Sequence, residues 1–342
     1  MTERCVAIHL PDPDHGEHNE RPLMLRTVLF CPALTWCVRA WMAGGVGRFF
    51  VVCDSRWRDE AAACFPGEQI VEYGSEADWP ARRRELETED CRIEEIREPV
   101  MPRGKMMISF HSPQELARLQ AACHGDTIAY HLGRGVQILD PASTYIDPRV
   151  DIGAGTLLLP NTILRGETVV GADCEIGPNT MLDGCRVGDR TVVNQTQAKD
   201  SEIREDCEIG PYTHIRPHCV VGRGSKIGAF VQLKNCNLGE GTKMAHLTYV
   251  GDADVGDHVN FGCGTVTSNY DGFQKHRTTI GNEVFIGCNT NLVPPVTVAD
   301  RAYIAAGTTV TKDVPADSLA IGRVRQENKE DWARRNRELR KK

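Results

Sequence analysis

The sequence lacks several features that would assign it to a class at once. No apolar run approaches the roughly 20 residues that a membrane-spanning helix needs. The opening residues, MTERCVAIHL, do not show the charged-then-apolar pattern of a secretory signal. Positive charge is not in excess either, since the 342 residues carry a formal net charge of −7. We therefore expect a cytoplasmic protein that binds neither a membrane nor nucleic acid in general.

The fourteen cysteines include no pair with the CxxC spacing of redox and zinc motifs. Three of them, Cys174, Cys207 and Cys219, close a six-residue unit at a place where Thr or Ser stands in other units. Cysteines in such places are typical of small buried apolar side chains, and reduced thiols fit a reducing compartment. The sequence thus predicts structural thiols rather than disulfides or a metal centre.

What the sequence does have is a six-residue repeat from Tyr145 to Val314. An aliphatic residue holds the second place of nearly every unit: Ile152, Leu158, Leu164, Val170, Ile176, Ile209, Ile215, Val221 and Ile227. One apolar residue in six is too sparse for an amphipathic helix, but it fits a coil of three short strands with Gly, Asn and Asp at the corners. Stacked coils bury a continuous aliphatic column. The repeat predicts a parallel β-helix.

A different pattern precedes the repeat. Cys5–Leu10 and Phe49–Cys53 are predicted strands, and Leu23–Trp41 is a predicted helix ended by Gly44-Gly45, which together suggest a small βαβ unit. A capping box at Ser112–Glu115 begins a second helix that is expected to end near Gly125. The predicted regions are a small α/β region at 1–104, a linker with a helix at 105–139, a β-helix at 140–320 and a tail at 321–342 that ends in a charged helix.

One segment interrupts the repeat. After NFGCGT the chain runs through VTSNYD and GFQKHRT before the repeat resumes at TIGNEV. Polar insertions in a solenoid usually form loops on one face, which is often the functional face. We expect the loop Ser268–Arg277 to belong to the functional site, together with His246 and Tyr249.

The segment from Lys234 to Val298 closely resembles the acetyltransferase half of the GlmU family. Its motifs HLTY and NYDG are more specific than the repeat, and the likeness extends over roughly 110–326. Members of that family are bifunctional, as glucosamine-1-phosphate N-acetyltransferase and N-acetylglucosamine-1-phosphate uridylyltransferase. The resemblance implies a mainly β protein with a left-handed β-helix after a truncated nucleotidyltransferase-like region. It also implies acetyl-CoA as co-substrate, no metal for acetyl transfer, and a homotrimer with sites between subunits.

The resemblance also implies roles for individual residues. His246 matches the family's general base, and Asn269 contacts the reacting amine. The sugar phosphate is expected to be held by Arg216, Lys234, Tyr249, Asn260, Tyr270 and Lys275. Acetyl-CoA is expected to contact Cys288, Ala306 and Arg323. Cys288 stands where the family usually has Ser and Cys263 where it has Ala, and both exchanges are expected to tune coenzyme contacts.

The chemistry of these residue types agrees with such roles independently. A His with an unperturbed pKa of ~6.5 can accept the proton that an amine loses on acetylation. Arg and Lys supply the cations that a sugar phosphate needs. Backbone N–H groups at turns can stabilise the charge that develops on a thioester oxygen.

Other functions remain open at this stage. The acceptor could be another amino-sugar phosphate or a sugar nucleotide, or the chain could be a non-catalytic scaffold. A zinc enzyme on the same fold needs three converging His ligands. The candidates for such a site are His214, His218, His246, His258 and His276, although none lies in the motif of that enzyme group.

The N-terminal region lacks what the family's uridylyl transfer needs. In members of that family the first strand leads into a Gly-rich loop, whose backbone N–H groups bind the nucleotide phosphates. Here CVAIHL is followed by PDPDHGEH, whose prolines remove donors and whose acids repel a triphosphate. The other glycine cluster, Gly44–Arg48, fits a helix stop better than a phosphate cradle. We predict that this region does not perform uridylyl transfer.

Overall fold

The computed structural model describes residues 3–10, 21–67, 69–89, 91–103 and 106–340. The predicted polar loop at 11–18 and the last two lysines lie outside these residues. No helix within the described ranges is long and apolar enough to cross a membrane. The chain forms two compact units, Met1–Asp206 and Cys207–Lys342.

The first unit begins with an α/β region. Its strands are β1 Glu3–His9, β2 Thr27–Val28, β3 Cys31–Pro32, β4 Arg48–Val52, β5 Ile70–Gly74, β6 Cys91–Ile96, β7 Val100–Arg103 and β8 Met106–Ser109. Its helices are α1 Ala33–Ala43, α2 Arg58–Ala62, α3 Trp79–Thr88 and α4 Pro113–Gly133, with short 3₁₀ turns at Leu23–Leu25 and Ser55–Trp57. Four strands form a parallel sheet in the order β5-β4-β1-β6.

Alternation along the strands of this sheet produces two apolar layers. Val6 and Ile8 of β1 belong to the core that contains α1 residues and part of α4. Cys5 and Ala7 of the same strand belong to a second core, with Trp79 and Leu86 of α3. Successive side chains of a strand point to opposite faces, so this sheet is covered on both sides, as parallel sheets usually are. The predicted βαβ unit is confirmed.

The first predicted helix is shorter than expected. Only Ala33–Ala43 is α-helical, and the first half of the predicted span forms the 3₁₀ turn and the antiparallel pair β2–β3. Pro32 is the N-cap, which proline suits because its φ is fixed and it has no N–H to satisfy. The helix ends as predicted at Gly44-Gly45, where Gly45 has a φ of +83° and donates its N–H to Met42 O at 2.9 Å.

The second predicted helix is longer than expected. Its start is confirmed, because Ser112 caps α4 by accepting from Glu115 N at 3.2 Å. It does not end near Gly125 but continues to Gly133. The extra turns bury Thr127, Ile128 and His131, and this tertiary burial outweighs the roughly 1 kcal/mol that an interior glycine costs.

The repeat forms a parallel β-helix, as predicted. In the first unit its strands are β9 Gln137–Ile138, β10 Tyr145–Ile146, β11 Asp151–Ile152, β12 Leu157–Leu158, β13 Ile163–Arg165, β14 Val169–Val170, β15 Glu175–Ile176, β16 Met181–Asp183, β17 Arg186–Val187, β18 Val192–Val193, β19 Gln197–Lys199 and β20 Glu202–Ile203. Ile163 pairs in parallel with Tyr145 and with Met181, so a coil here takes 18 residues, three repeats of six.

The second unit continues the same pattern. Its strands are β21 Glu208–Ile209, β22 His214–Ile215, β23 Val220–Val221, β24 Lys226–Ala229, β25 Gln232–Leu238, β26 Lys243–His246, β27 Tyr249–Val255, β28 Asn260–Phe261, β29 Val266–Thr267, β30 Thr278–Ile280, β31 Phe285–Ile286, β32 Asn291–Leu292, β33 Val296–Val298, β34 Tyr303–Ile304, β35 Thr309–Val310 and β36 Leu319–Ala320. The tail carries the predicted helix, α5 Trp332–Leu339.

Side-chain burial follows the repeat in both units. The nine aliphatic residues at the second place are all buried, and so are Cys174, Cys207 and Cys219. All fourteen cysteines are free thiols, as the repeat predicted for these three. Corner residues such as Asn161, Asp173 and Asn179 have φ between +52° and +60°, the conformation that short polar side chains tolerate best. The predicted placement of aliphatic residues inside, small residues at the end of each unit and short polar residues at the corners is confirmed.

Candidate active site

The predicted insertion lies between β29 and β30 and lengthens its coil. Ala253 pairs with Thr278, 25 residues later, where the first coils need only 18. Asp271 holds the turn by accepting N–H bonds from Phe273 and Gln274, both at 2.8 Å, and by pairing with His276 at 2.7 Å. These bonds lower the pKa of Asp271 to about 2, and the bond from the backbone N–H of Gln274 contributes most. The loop is therefore a defined turn.

Arg277 ties the end of this loop to the β-helix. Its guanidinium makes a bidentate ion pair with Asp254 and donates to the backbone oxygens of Asn235 and Ala253, each at 3.2 Å. Tyr270 and Lys275 form a β-bridge across the loop. The anchor and the bridge fix Lys275 relative to β25 and β27.

Cations predicted for the sugar phosphate do come together here. Lys234 lies on β25, close enough to Lys275 of the loop for the two charges to affect each other. The nearby Lys275 side chain lowers the pKa of Lys234 most, and burial and the charge of Arg216 act in the same direction. Two ammonium groups repel each other unless an anion lies between them. We call Arg216, Lys234 and Lys275 the cation cluster.

Gly251 leaves space for two further predicted residues. It lies opposite Lys234 in the pairing of β25 with β27. A Cβ at this position would collide with the Tyr249 hydroxyl and lie 3.1 Å from Asn269 Nδ2. The absence of a side chain at Gly251 thus leaves room on β27 for the tyrosine hydroxyl and the asparagine amide.

The carboxylate of Asp252, next to Asn269, was not predicted from the sequence. Asp252 is only 7% exposed, and it accepts from Asn235 Nδ2 at 2.5 Å and, through a short bond, from Asn269 Nδ2. Burial alone raises the pKa of Asp252, but these two bonds and the charges of Lys234 and Lys275 lower it overall. A signal was present, since Asn235 and Asn237 precede Asp252 and Asp254 by one coil, and each Asn donates to its Asp.

His246 ends β26, and Tyr249 begins β27 after a corner at Leu247, which has a φ of +44°. The imidazole is exposed to solvent. Asn260 lies on the neighbouring strand β28 opposite Lys243 of β26. His246 and Asn260 therefore share one sheet of the coil, whereas Lys234 and Tyr249 belong to another.

Residues predicted to contact acetyl-CoA form a column along successive coils, and the column begins one coil after the corner that follows His246. Gly264 N donates to Leu247 O at 2.9 Å, Asn289 N to Cys263 O at 2.7 Å, and Gly307 N to Cys288 O at 2.8 Å. Cys263, Cys288 and Ala306 thus occupy one corner of successive coils. The Arg323 side chain passes Gly307, its Cδ 3.6 Å from where a Cβ would be. The structure brings Cys288, Ala306 and Arg323 together.

The histidines proposed as zinc ligands do not form a metal site. In the parts of the chain that the structure describes, no group of three or more His, Cys, Asp or Glu side chains is placed to hold a metal ion.

Comparison with known proteins agrees with the repeat and the motifs. Residues 200–235 and 277–312 match the model of the bacterial transferase hexapeptide (six repeats). A stretch of 219 residues, 64% of this chain, is 48% identical to the bifunctional protein GlmU of Brevibacillus brevis and covers 48% of that protein. A stretch of 233 residues, 68% of this chain, is 47% identical to bifunctional protein GlmU of Caldanaerobacter subterraneus and covers 51% of it.

Solved structures give a weaker likeness. A UDP-N-acetylglucosamine acyltransferase from Francisella novicida aligns over 54% of this chain and 67% of its own, with a TM-score of 0.38 and 16% identity. A TM-score of that size supports no conclusion about this chain.

The β-helix and its matched repeats are those of a hexapeptide-repeat protein, and the matched model is that of bacterial transferases. Over the matched stretch this chain is a homologue of the bifunctional GlmU proteins. The chain spans about half the length of those relatives, so their complete activity does not transfer to it automatically.

Proposed function

We propose that this chain is an acetyl-CoA-dependent N-acetyltransferase that converts glucosamine-1-phosphate to N-acetylglucosamine-1-phosphate. Such a reaction supplies the precursor of a nucleotide-activated amino sugar. The observation that carries the proposal is the cation cluster beside Tyr249 and Asn269. Its two lysines lie near each other, one on β25 and one on the anchored loop, and a phosphate dianion between them would offset their repulsion.

In the proposed reaction, His246 accepts a proton from the sugar amine as its nitrogen attacks the acetyl carbonyl. The new bond is N–C, the bond that breaks is C–S, and the sulfur leaves as the coenzyme thiolate, which takes up a proton. Asn269 accepts an N–H of the amine and holds it for attack. Exposure of His246 suits this role because the imidazole can pass its proton on to the leaving thiolate or to solvent.

Acetyl-CoA is proposed to lie along the column formed by Cys263, Cys288 and Ala306. This column begins at the His246 corner, so the thioester can meet the amine there while the rest of the coenzyme follows successive coils. Arg323, beside Gly307, supplies a guanidinium for the coenzyme phosphates. Asn260 and Tyr270 are proposed to make further contacts with the sugar phosphate.

Thiol release from acetyl-CoA tests the proposal directly. We expect turnover with glucosamine-1-phosphate and at least tenfold lower kcat/KM with glucosamine, glucosamine-6-phosphate or serine, because the cation cluster selects the phosphate and its position. Preference for another amino-sugar phosphate or a sugar nucleotide would keep the reaction and change the acceptor. Absence of turnover with every acceptor would favour a non-catalytic scaffold.

We propose that uridylyl transfer is absent from this chain. The support is the sequence of the N-terminal region, whose first strand leads into a stretch with prolines and acids instead of a glycine-rich cradle. With UTP, Mg²⁺ and N-acetylglucosamine-1-phosphate, we expect no pyrophosphate above the level of a no-enzyme control. Mg²⁺-dependent pyrophosphate release by purified chain would show the prediction to be wrong.

A further inference from the structure

We propose that Asp252 is a positioning residue that determines which end of the Asn269 amide faces the acceptor amine. The inference rests on the proposed function, in which Asn269 contacts that amine. It concerns a residue that neither the repeat nor the motif resemblance singled out.

The Asn269 side chain is buried and has one partner that fixes its orientation. Its Nδ2 donates to the Asp252 carboxylate, which can only accept. The backbone of Asn269 is held as well, since its N–H donates to Thr267 O at 2.9 Å and its O accepts from His276 N at 2.8 Å. Because the carboxylate fixes Nδ2 on the side of Asp252, the opposite end of the amide is Oδ1, an acceptor.

Which end of the Asn269 amide faces the acceptor amine matters for the reaction. An amine that attacks a thioester must keep its lone pair towards the carbonyl carbon, so the protein can hold it only through its N–H groups. Oδ1 accepts such an N–H, whereas an amide NH₂ in the same place would donate to the lone pair and block attack. A carboxylate behind Asn269 therefore selects the reactive arrangement.

Asp252 is itself well supported in this place. Asn235 donates to its other oxygen at 2.5 Å, and Lys234 and Lys275 provide compensating positive charge. The residue has a φ of +50°, which Asp, Asn and Gly tolerate better than other residues. Asp252, a buried carboxylate with two amide donors and two nearby cations, is thus held in one place and can fix the orientation of Asn269.

The test is the variant Asp252→Asn in the full chain. Asn keeps the size and the backbone preference, but it replaces one of the two accepting oxygens by an NH₂ donor, so the amide of Asn235 or Asn269 meets another donor. We expect kcat for acetyl transfer to glucosamine-1-phosphate to fall about 10- to 100-fold. The KM for the sugar phosphate should not rise, because removal of a negative charge beside the cation cluster favours phosphate binding.

The matched control is Asp257→Asn. Asp257 follows the same strand and accepts one backbone N–H, from Glu240 at 2.8 Å, but it does not bond Asn269. This control should keep wild-type kcat. A second variant, Asp252→Gly, removes the carboxylate while suiting the same φ, and it tests the inference if Asp252→Asn does not fold.

A double-mutant cycle with Asn269→Ala separates positioning from general stability. If Asp252 acts through Asn269, Asp252→Asn should cause no further loss of kcat in the Asn269→Ala background. Wild-type kcat in folded Asp252→Asn or Asp252→Gly, or fully additive losses, would overturn the inference while leaving the proposed function intact. An inactive wild type would overturn the proposed function and this inference with it.

Discussion

At the scale of single residues, the site depends on polar side chains that the register between adjacent strands of the β-helix places next to one another. Lys234 and Gly251 lie opposite each other on adjacent strands, and Asn235 and Asp252 follow them at the next position. Each role in the proposed reaction can therefore be tested by one substitution. The expected loss depends on whether the group binds the phosphate, orients the amine or accepts the proton.

His246→Ala should lower kcat by ~10²–10⁴, the usual contribution of a general base. Since the imidazole is exposed at a strand end, folding should be preserved, as circular dichroism can show. His258→Asn is the control, because His258 is another exposed histidine and Asn tolerates its φ of +57°. Near-normal turnover of His246→Ala would exclude the histidine as base.

Lys275→Ala should raise the KM for the sugar phosphate about 10- to 100-fold, the value of one hydrogen bond to a charged group. Arg216→Ala should act in the same direction. Lys226→Ala, which removes a lysine paired with Glu208 at 2.6 Å, is the control and should leave KM unchanged. An unchanged KM in Lys275→Ala would place the phosphate elsewhere.

The same variant has a predicted pH signature. Lys275 lowers the pKa of Lys234, so phosphate affinity in the wild type is lost as the pH rises through that lowered value. Without Lys275, the inflection in KM should move to higher pH, towards the ordinary lysine range. A profile of KM against pH for both proteins measures this shift.

At the scale of elements, α4 contains a group that couples folding to pH. Burial, and then the charge of Arg134, lowers the pKa of His131 to about 4, from an ordinary value of 6.5. The unfolded chain binds this proton near pH 6.5 and the folded chain only near pH 4. The neutral imidazole therefore stabilises the fold fully above pH 6.5, and its contribution is lost as the pH falls towards 4.

His131→Gln should remove that part of the pH dependence. The full shift corresponds to about 3 kcal/mol in the free energy of unfolding between pH 7 and pH 4. Urea unfolding of wild type and variant at a series of pH values measures the difference in slope. His111→Gln, at an exposed position, should retain the wild-type slope, and equal slopes in all three proteins would contradict the assignment.

At the scale of the whole molecule, we propose that the chain forms a homotrimer. Within the second unit, two apolar ladders lie on the outside of the coils. One consists of Tyr212, Phe230 and Leu247, with the two aromatic rings stacked at 5.3 Å. The other consists of Phe285, Tyr303 and Leu319, with its rings stacked at 4.5 Å. Aligned exposed apolar groups of this kind are typical of interfaces between chains.

Light scattering should give three times the mass of the chain. Phe230→Asn, which suits the φ of +59° at this corner, should weaken the trimer if the first ladder is part of the interface. Tyr303→Asn tests the second ladder in the same way. The loop tip, where Phe273 is 95% exposed, is proposed to reach a neighbouring subunit. A stable monomer with full activity would contradict the trimer.

The sequence determined the β-helix because its signal is local and repeated. One aliphatic side chain every six residues, a small residue at the end of each unit and short polar residues at the corners each satisfy a constraint within a single coil. The insertion was equally visible, since it breaks that period. The likeness of HLTY and NYDG to a known family added the candidate site residues, whose catalytic and binding roles remain predictions.

Tertiary structure alone decided how these residues meet. Lys275 comes near Lys234 because Arg277 ties the loop to Asp254, and the proposed role of Asp252 rests on two asparagines from different coils. The start of α1 and the end of α4 also differed from the predictions, since Pro32 caps the first helix and burial of His131 extends the second past Gly125. The six-residue period reflects constraints that act within a single coil, whereas contacts between coils and loops depend on residues far apart in the chain.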